Sequence, residues 1–61
     1  GGSRMITITY AYGYRTREAA ELAIINEIEG DFLSWCQNPR VVAYRTKDGR
    51  KLYSIILDSE V

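Results

Sequence analysis

Residues 40–57 read RVVAYRTKDGRKLYSIIL, and this stretch predicts a β-hairpin. The segments 40–46 and 51–57 are rich in β-branched and aromatic residues, which favour strands. Asp48-Gly49 lies between them and is a strong signal for a tight turn. Everything upstream must therefore pack against a C-terminal pair of antiparallel strands.

Two registers are compatible with this hairpin. In the first, a two-residue type I′ turn pairs Tyr44 with Tyr53 and Val42 with Ile55. In the second, a three-residue Lys47-Asp48-Gly49 loop with a bulge shifts the register. We prefer the first register because it gathers apolar side chains on one sheet face. Those side chains are Val42, Tyr44, Tyr53, Ile55 and Leu57.

A further strand is predicted over residues 5–14, which read MITITYAYGY. Apolar and aromatic residues alternate there with small or hydroxyl residues, which is the period of a strand. Gly13 marks the end of the strand or a bulge. The alternation predicts a ladder of three tyrosines on one sheet face, formed by Tyr10, Tyr12 and Tyr14.

A helix is predicted between these strands. The Thr16 hydroxyl is a suitable N-cap, and residues 17–29 are mostly strong helix formers. Gly30 either ends the helix or bends a continuous one. In the first case, Asp31 can cap a further turn through residues 32–36.

Large apolar side chains spread over about half of this helix on a 100° wheel, and the alanines lie on the other side. Glu21 lies near the middle of the apolar arc, so it either sits at the exposed edge of the arc or meets a polar group across an interface. We expect Trp35 to cover the core, because Trp is highly buried on average. Cys36 is interpreted as a small core residue. The apolar arc consists of Leu22, Ile24, Ile25, Ile28, Phe32 and Trp35.

The predicted fold class is therefore α+β, a single β-α-β-β domain over residues 5–61, with one amphipathic helix packed on a three-stranded sheet. Residues 1–4 are interpreted as a cloning remnant ahead of a start at Met5. The second sheet face is also substantially apolar. A right-handed crossover favours parallel pairing of the first strand with one hairpin strand. Antiparallel pairing at the hairpin's other edge is the alternative.

The amino-acid composition excludes several classes of function for this protein. The chain has 8 basic and 8 acidic residues, no His and one Cys. Histidine-dependent nucleophilic dyads and a four-ligand zinc site are thus excluded, and no phosphate-binding glycine motif occurs. We expect no catalytic, cofactor-binding or metal-binding residues and no enzymatic activity. A lone thiol and the lack of a long apolar run favour a cytoplasmic protein that does not partner a membrane.

The leading hypothesis is a small protein-interaction module that forms a homodimer or docks on a larger protein to modulate it, in the manner of a bacterial or phage accessory or inhibitor protein. A core this small supplies little stability, so association with another chain would add burial. Tyrosine contributes large, rigid contact area to such interfaces. The candidate contact residues are Tyr10, Tyr12, Tyr14, Tyr44, Tyr53 and Arg45.

The alternative hypothesis is a weak nucleic-acid-binding module that combines the tyrosine ladder with cations of the hairpin. Acidic residues concentrate on the helix and basic ones on the hairpin, so the molecule is expected to be dipolar. Such a charge distribution suits steering toward a charged partner or self-association. The candidate nucleic-acid contacts are Arg15, Arg17, Lys47, Arg50 and Lys51.

Overall fold

The computed structural model describes residues 4–60 and confirms the α+β class, with one helix packed on a three-stranded antiparallel sheet. Gly1, Gly2 and Ser3 of the predicted cloning remnant lie outside the described residues, as does Val61. In chain order the elements are β1 (Met5–Tyr14), α1 (Arg17–Glu29), a short 3₁₀ turn (Trp35–Gln37), β2 (Arg40–Arg45) and β3 (Lys51–Glu60).

The central strand of the sheet is β3. The strand order is β1-β3-β2, and β1 pairs antiparallel with β3. The favoured parallel pairing of β1 with a hairpin strand is therefore wrong, and the antiparallel alternative is confirmed. Ile55 and Leu57 on β3 are 0% and 1% exposed. The most apolar strand thus takes the central position, where both neighbours help to cover it.

The hairpin adopts the second of its two registers. Tyr44 lies opposite Leu52, so the preferred pairing of Tyr44 with Tyr53 is wrong. The Gly49 amide donates to the Thr46 carbonyl at 3.0 Å, and the Thr46 amide donates to the Arg50 carbonyl at 2.9 Å. Gly49 has a φ of 87°, the left-handed conformation that ends a three-residue hairpin loop.

This one-residue shift decides which side chains meet the helix. Val41 lies opposite Ile55 on the face that α1 covers, the helix-side face. Val42 lies opposite Ser54 on the other face, which no described element covers and which we call the open face. The second face is therefore less apolar than predicted, because hydroxyl side chains share it with the apolar ones. The open face carries Thr7, Thr9, Tyr12, Val42, Tyr44, Leu52, Ser54 and Ile56.

Two irregularities in β1 break the predicted tyrosine ladder. The register with β3 shifts between Thr9 and Ala11 and again between Ala11 and Tyr14. Each bulge adds a residue to one strand and reverses the alternation beyond it. Tyr10 and Tyr14 therefore lie on the helix-side face, whereas Tyr12 lies on the open face. The three tyrosines do not share one surface.

The bounds of α1 match the sequence prediction. The Thr16 hydroxyl accepts a hydrogen bond from the Ala19 amide at 3.1 Å and caps the first turn. The helix ends at Glu29 with Gly30 as its C-cap. This confirms that Gly30 ends the helix and rules out a continuous helix bent at Gly30. Asp31 takes the left-handed conformation with a φ of 63°. The further turn is the 3₁₀ segment, and Ser34 rather than Asp31 caps it.

The side of α1 that packs on the sheet is only partly the predicted one: Ile24 and Ile28 of the apolar arc pack there, together with the alanines rather than with Leu22 and Ile25. Ala20 is 0% and Ile24 is 4% exposed, and both pack against Ile55. Leu22 and Ile25 point away from the sheet, at 61% and 43% exposed. The small alanine side chain allows the helix backbone to approach the sheet closely, which a leucine at the same point would prevent.

The expected burial of Trp35 and Cys36 is also wrong. Trp35 is 63% exposed, and Cys36 is exposed with a free thiol. Both belong to the 3₁₀ turn, which no longer follows the axis of α1 because the chain breaks at Gly30. Leu33, at 7% exposed, is the buried residue of this connection.

Two adjacent alanines test the packing of α1. We expect Ala20→Leu to lower the free energy of unfolding by about 1–3 kcal/mol, because the larger side chain forces the helix off the sheet. The matched control Ala19→Leu, at an exposed position of the same helix, should change it by less than about 0.5 kcal/mol. Urea unfolding followed by circular dichroism measures both. Equal losses would show that the alanine side does not pack on the sheet.

Candidate functional site

An exposed apolar surface, which the core does not use, lies on the outside of α1. Leu22 and Ile25 are three residues apart, so they are neighbours on the helix. Ile25 and Trp35 line the same groove between α1 and β2. We call the surface formed by Leu22, Ile25 and Trp35 the outer helix surface. Phe32, 74% exposed, lies beyond the C-terminal end of α1.

The groove beside this surface has a volume of about 390 Å³. Its floor includes Ile24 and Val41, and Pro39 lines it near the start of β2. Arg17 and Glu21 line it along α1. Glu21 is exposed there, so it occupies the exposed edge of the apolar arc, as one of the two sequence alternatives expected. The groove offers apolar contact with charged groups around it.

The six residues predicted as one protein-contact patch are divided between the two sheet faces. Tyr10 donates a hydrogen bond to Glu27 of α1 at 3.3 Å, and Tyr14 packs against the core. Partial burial raises the pKa of Tyr10, and the carboxylate of Glu27 raises it further. Tyr53 shares the helix-side face. The open face holds Tyr12 and Tyr44, and Arg45 lies at the end of β2.

The residues predicted as nucleic-acid contacts do come together. The end of β1 lies beside the hairpin loop, because Tyr14 pairs with Tyr53. Arg17 and Lys51 lie 5.8 and 5.9 Å from the centre of the Tyr53 ring, within the range of cation–π attraction. We call this region the hairpin end. It contains Arg15, Arg17, Arg45, Lys47, Arg50 and Lys51.

Charge is separated along the molecule, although the net charge is zero. Six of the 8 basic residues lie at the hairpin end, accompanied by Glu18 and Asp48. Within residues 4–60 the ion pairs are Arg50–Asp48 and Arg40–Asp58, each at 3.3 Å. Most cations of the hairpin end thus have no carboxylate partner. The opposite end carries Glu27, Glu29, Asp31, Asp58 and Glu60.

Asp58 connects all three strands at this acidic end. Its Oδ1 atom accepts a hydrogen bond from the Thr7 hydroxyl at 2.9 Å and from Arg40 Nη2 at 3.3 Å. The Thr7 hydrogen bond holds the pKa of Asp58 below its ordinary value; burial opposes this effect, and Arg40 adds to it. Asp58 therefore stabilises the fold in its ionised form.

This lowered pKa gives a pH-dependent prediction. A carboxyl group whose pKa is lower in the folded state stabilises the protein above its unfolded pKa, and the stabilisation is lost as pH falls through the folded pKa. We expect Thr7→Val to raise the pKa of Asp58 and to destabilise the fold at neutral pH. The difference from the parent protein should shrink as pH falls through the folded pKa of Asp58, because the carboxyl group is then protonated in both proteins.

Carboxyl titration by NMR and urea unfolding at two pH values measure these effects. Thr9→Val is the matched control, because Thr9 lies on the same strand and face but donates no hydrogen bond to Asp58. A Thr9→Val variant that shifts the titration of Asp58 as much as Thr7→Val would contradict the assignment.

The sequence does not predict the outer helix surface. It places Leu22 and Ile25 in the apolar arc of the helix and predicts that Trp35 covers the core, because large apolar residues are usually buried. The available signal in the sequence was that apolar residues, including Ala20 and Ala23, lie on more than one side of α1. A helix of this kind can pack against a partner on more than one side.

The molecule exposes more surface than its mass requires. Its accessible area is 4680 Å², whereas a compact monomer of 7.0 kDa exposes about 4,000 Å². The radius of gyration is 12.8 Å, against about 10.5 Å for a compact chain of this length. The two layers thus form a flat, elongated body with apolar side chains on both broad sides.

No protein-family model, curated protein or solved structure matches this chain. Among residues 4–60, no group of three or more His, Cys, Asp or Glu side chains is placed to hold a metal ion. The helix of the described region is too short and too polar to cross a membrane.

Proposed function

We propose that this protein is a non-enzymatic protein-interaction module that associates with a second copy of itself through the outer helix surface. The observation that carries the proposal is the outward placement of Leu22, Ile25 and Trp35, which are 61%, 43% and 63% exposed. Two large apolar side chains on the outer side of a helix, with an exposed tryptophan beside one of them, are typical of a helix-packing interface.

The total exposed area supports a second copy of the chain as the partner at this surface. The excess over a compact monomer is about 600 Å². A standard protein interface buries about 800 Å² on each partner. Pairing two copies through this side would therefore bring the exposed area per chain close to that of an ordinary compact protein.

The charge distribution supports a second copy and also indicates its orientation. We place the two-fold axis perpendicular to α1, so that the same patch of both chains meets and the two helices run antiparallel. The hairpin end of each protomer then faces the acidic end of its partner. Arg17, in the first turn of α1, would thus lie opposite Glu29 and Asp31 of the other copy.

A cytoplasmic setting is part of the proposal. It is supported by the exposed thiol of Cys36, the single cysteine of the chain, because a reducing compartment keeps such a thiol free.

Self-association is tested by sedimentation across a dilution series from about 1 mM to about 1 µM. We expect a dimer at the upper end. Ile25→Glu should abolish it, because two carboxylates would be buried without partners at the two-fold axis. Thr9→Glu is the matched control: it adds the same charge at an exposed position of the open face, away from α1, and it should leave the dimer intact.

Trp35 provides a second measurement, because it is the single tryptophan. Its emission should shift to shorter wavelength as the dimer forms and the indole leaves water, and the shift should be missing in Ile25→Glu. A parent protein that stays monomeric over the whole series would overturn the proposal. A dimer that persists in Ile25→Glu would show that the interface lies on another surface.

A further inference from the structure

We infer that the open face binds a single-stranded nucleic acid next to the hairpin end, with bases stacked on Tyr12 and Tyr44. This site lies on the side of the sheet opposite α1, so it does not depend on self-association through the outer helix surface. It changes the nucleic-acid alternative of the sequence analysis, because Tyr12 and Tyr44 replace the ladder of Tyr10, Tyr12 and Tyr14 beside the cations.

A first set of residues supplies aromatic surface. Tyr12 is 78% exposed on β1, and Tyr44 is partly exposed on β2. The residue between them on the central strand is Ser54, whose small side chain leaves a hollow. Thr9, Tyr12, Tyr44 and Ser54 line this hollow, which has a volume of about 290 Å³. Two separated tyrosine rings over a shallow polar floor provide a surface on which flat bases can stack.

The second set supplies positive charge at the border of the same face. Arg15, Arg50 and Lys51 line a hollow beside Leu52, which lies opposite Tyr44. Arg45 and Lys51 pair with each other on the helix-side face, and their long side chains line a hollow at the sheet edge together with Ala43 and Tyr44. Arg50 is paired with Asp48, and the other cations have no ion-pair partner within residues 4–60. Phosphate groups on either side of a stacked base would lie within reach of these cations.

The combination of the two sets identifies the class of ligand. An acidic peptide would use the cations, but it does not alternate flat rings with negative charges as a nucleic-acid strand does. A duplex keeps its bases stacked inside, so it cannot offer their faces to Tyr12 and Tyr44. A single strand uses both sets. With three or four cations and no net charge, the binding should be weak and should fall with salt at a slope of about −2 to −3 in log–log terms.

The experiment uses fluorescence anisotropy with a labelled oligothymidylate of about 15 nucleotides. We expect saturable binding at about 20 mM salt. Tyr12→Ala should weaken it at least about fivefold, while Tyr12→Phe, which keeps the ring, should retain it. Tyr10→Ala is the matched control, because Tyr10 lies on the helix-side face near the acidic end and should have no effect on binding. Circular dichroism checks that each variant is folded.

Charge is tested with a second pair of variants. Arg15→Gln should reduce the salt slope by about 0.7, the contribution of one phosphate contact on a single strand. Arg4→Gln, which removes a cation at the opposite end of the molecule, should leave the slope unchanged.

Three results would overturn the inference. The first is no saturable binding of the oligothymidylate at low salt. The second is unchanged affinity in Tyr12→Ala, which would mean that charge alone is recognised. The third is equal or tighter binding of poly-glutamate of the same length, which would make the hairpin end a site for acidic peptides.

Discussion

The packing of Ala20 and Ile24 against Ile55 determines the rest of the structure. These three residues are almost fully buried, and they join α1 to the central strand. With an alanine at the closest point, the helix lies near the sheet and its larger side chains are left outside. Residues 4–60 form two layers, and no third element among them covers either broad side. The exposed apolar surfaces are thus a direct result of this tight contact.

Those surfaces differ in chemistry. The outer helix surface is apolar with charges around it, which suits protein contact. The open face combines separated tyrosines with hydroxyl side chains and has cations at one border, which suits a flat, anionic ligand. If both proposals hold, the antiparallel dimer would carry its two open faces on opposite outer sides, with their cationic borders at opposite ends. One short strand of nucleic acid could then not contact both sites of the same dimer.

Local signals in the sequence predicted the elements well. The cap at Thr16, the break at Gly30 and the alternation in β1 each depend on residues close in the chain. The predictions that failed depended on contacts between distant residues. The tyrosine ladder, for example, was lost to bulges that arise only when β1 pairs with β3. Likewise, periodicity shows where apolar residues lie around a helix, but it does not show that Ala20 rather than Leu22 meets the sheet. The hairpin register is the exception, because the two registers differ by one loop residue and the left-handed Gly49 belongs to the longer loop.

The two bulges of β1 also affect whether the edge of the sheet can pair with strands of other molecules. β1 is a ten-residue edge strand, and one of its sides has no strand partner among the described residues. A long, straight edge of this kind would accept strands from neighbouring molecules and extend into fibres. The register shifts and the left-handed Gly13 interrupt its line of hydrogen-bonding groups. An incoming straight strand could match only part of the edge, so these irregularities would keep a protein with so much exposed apolar surface from aggregating.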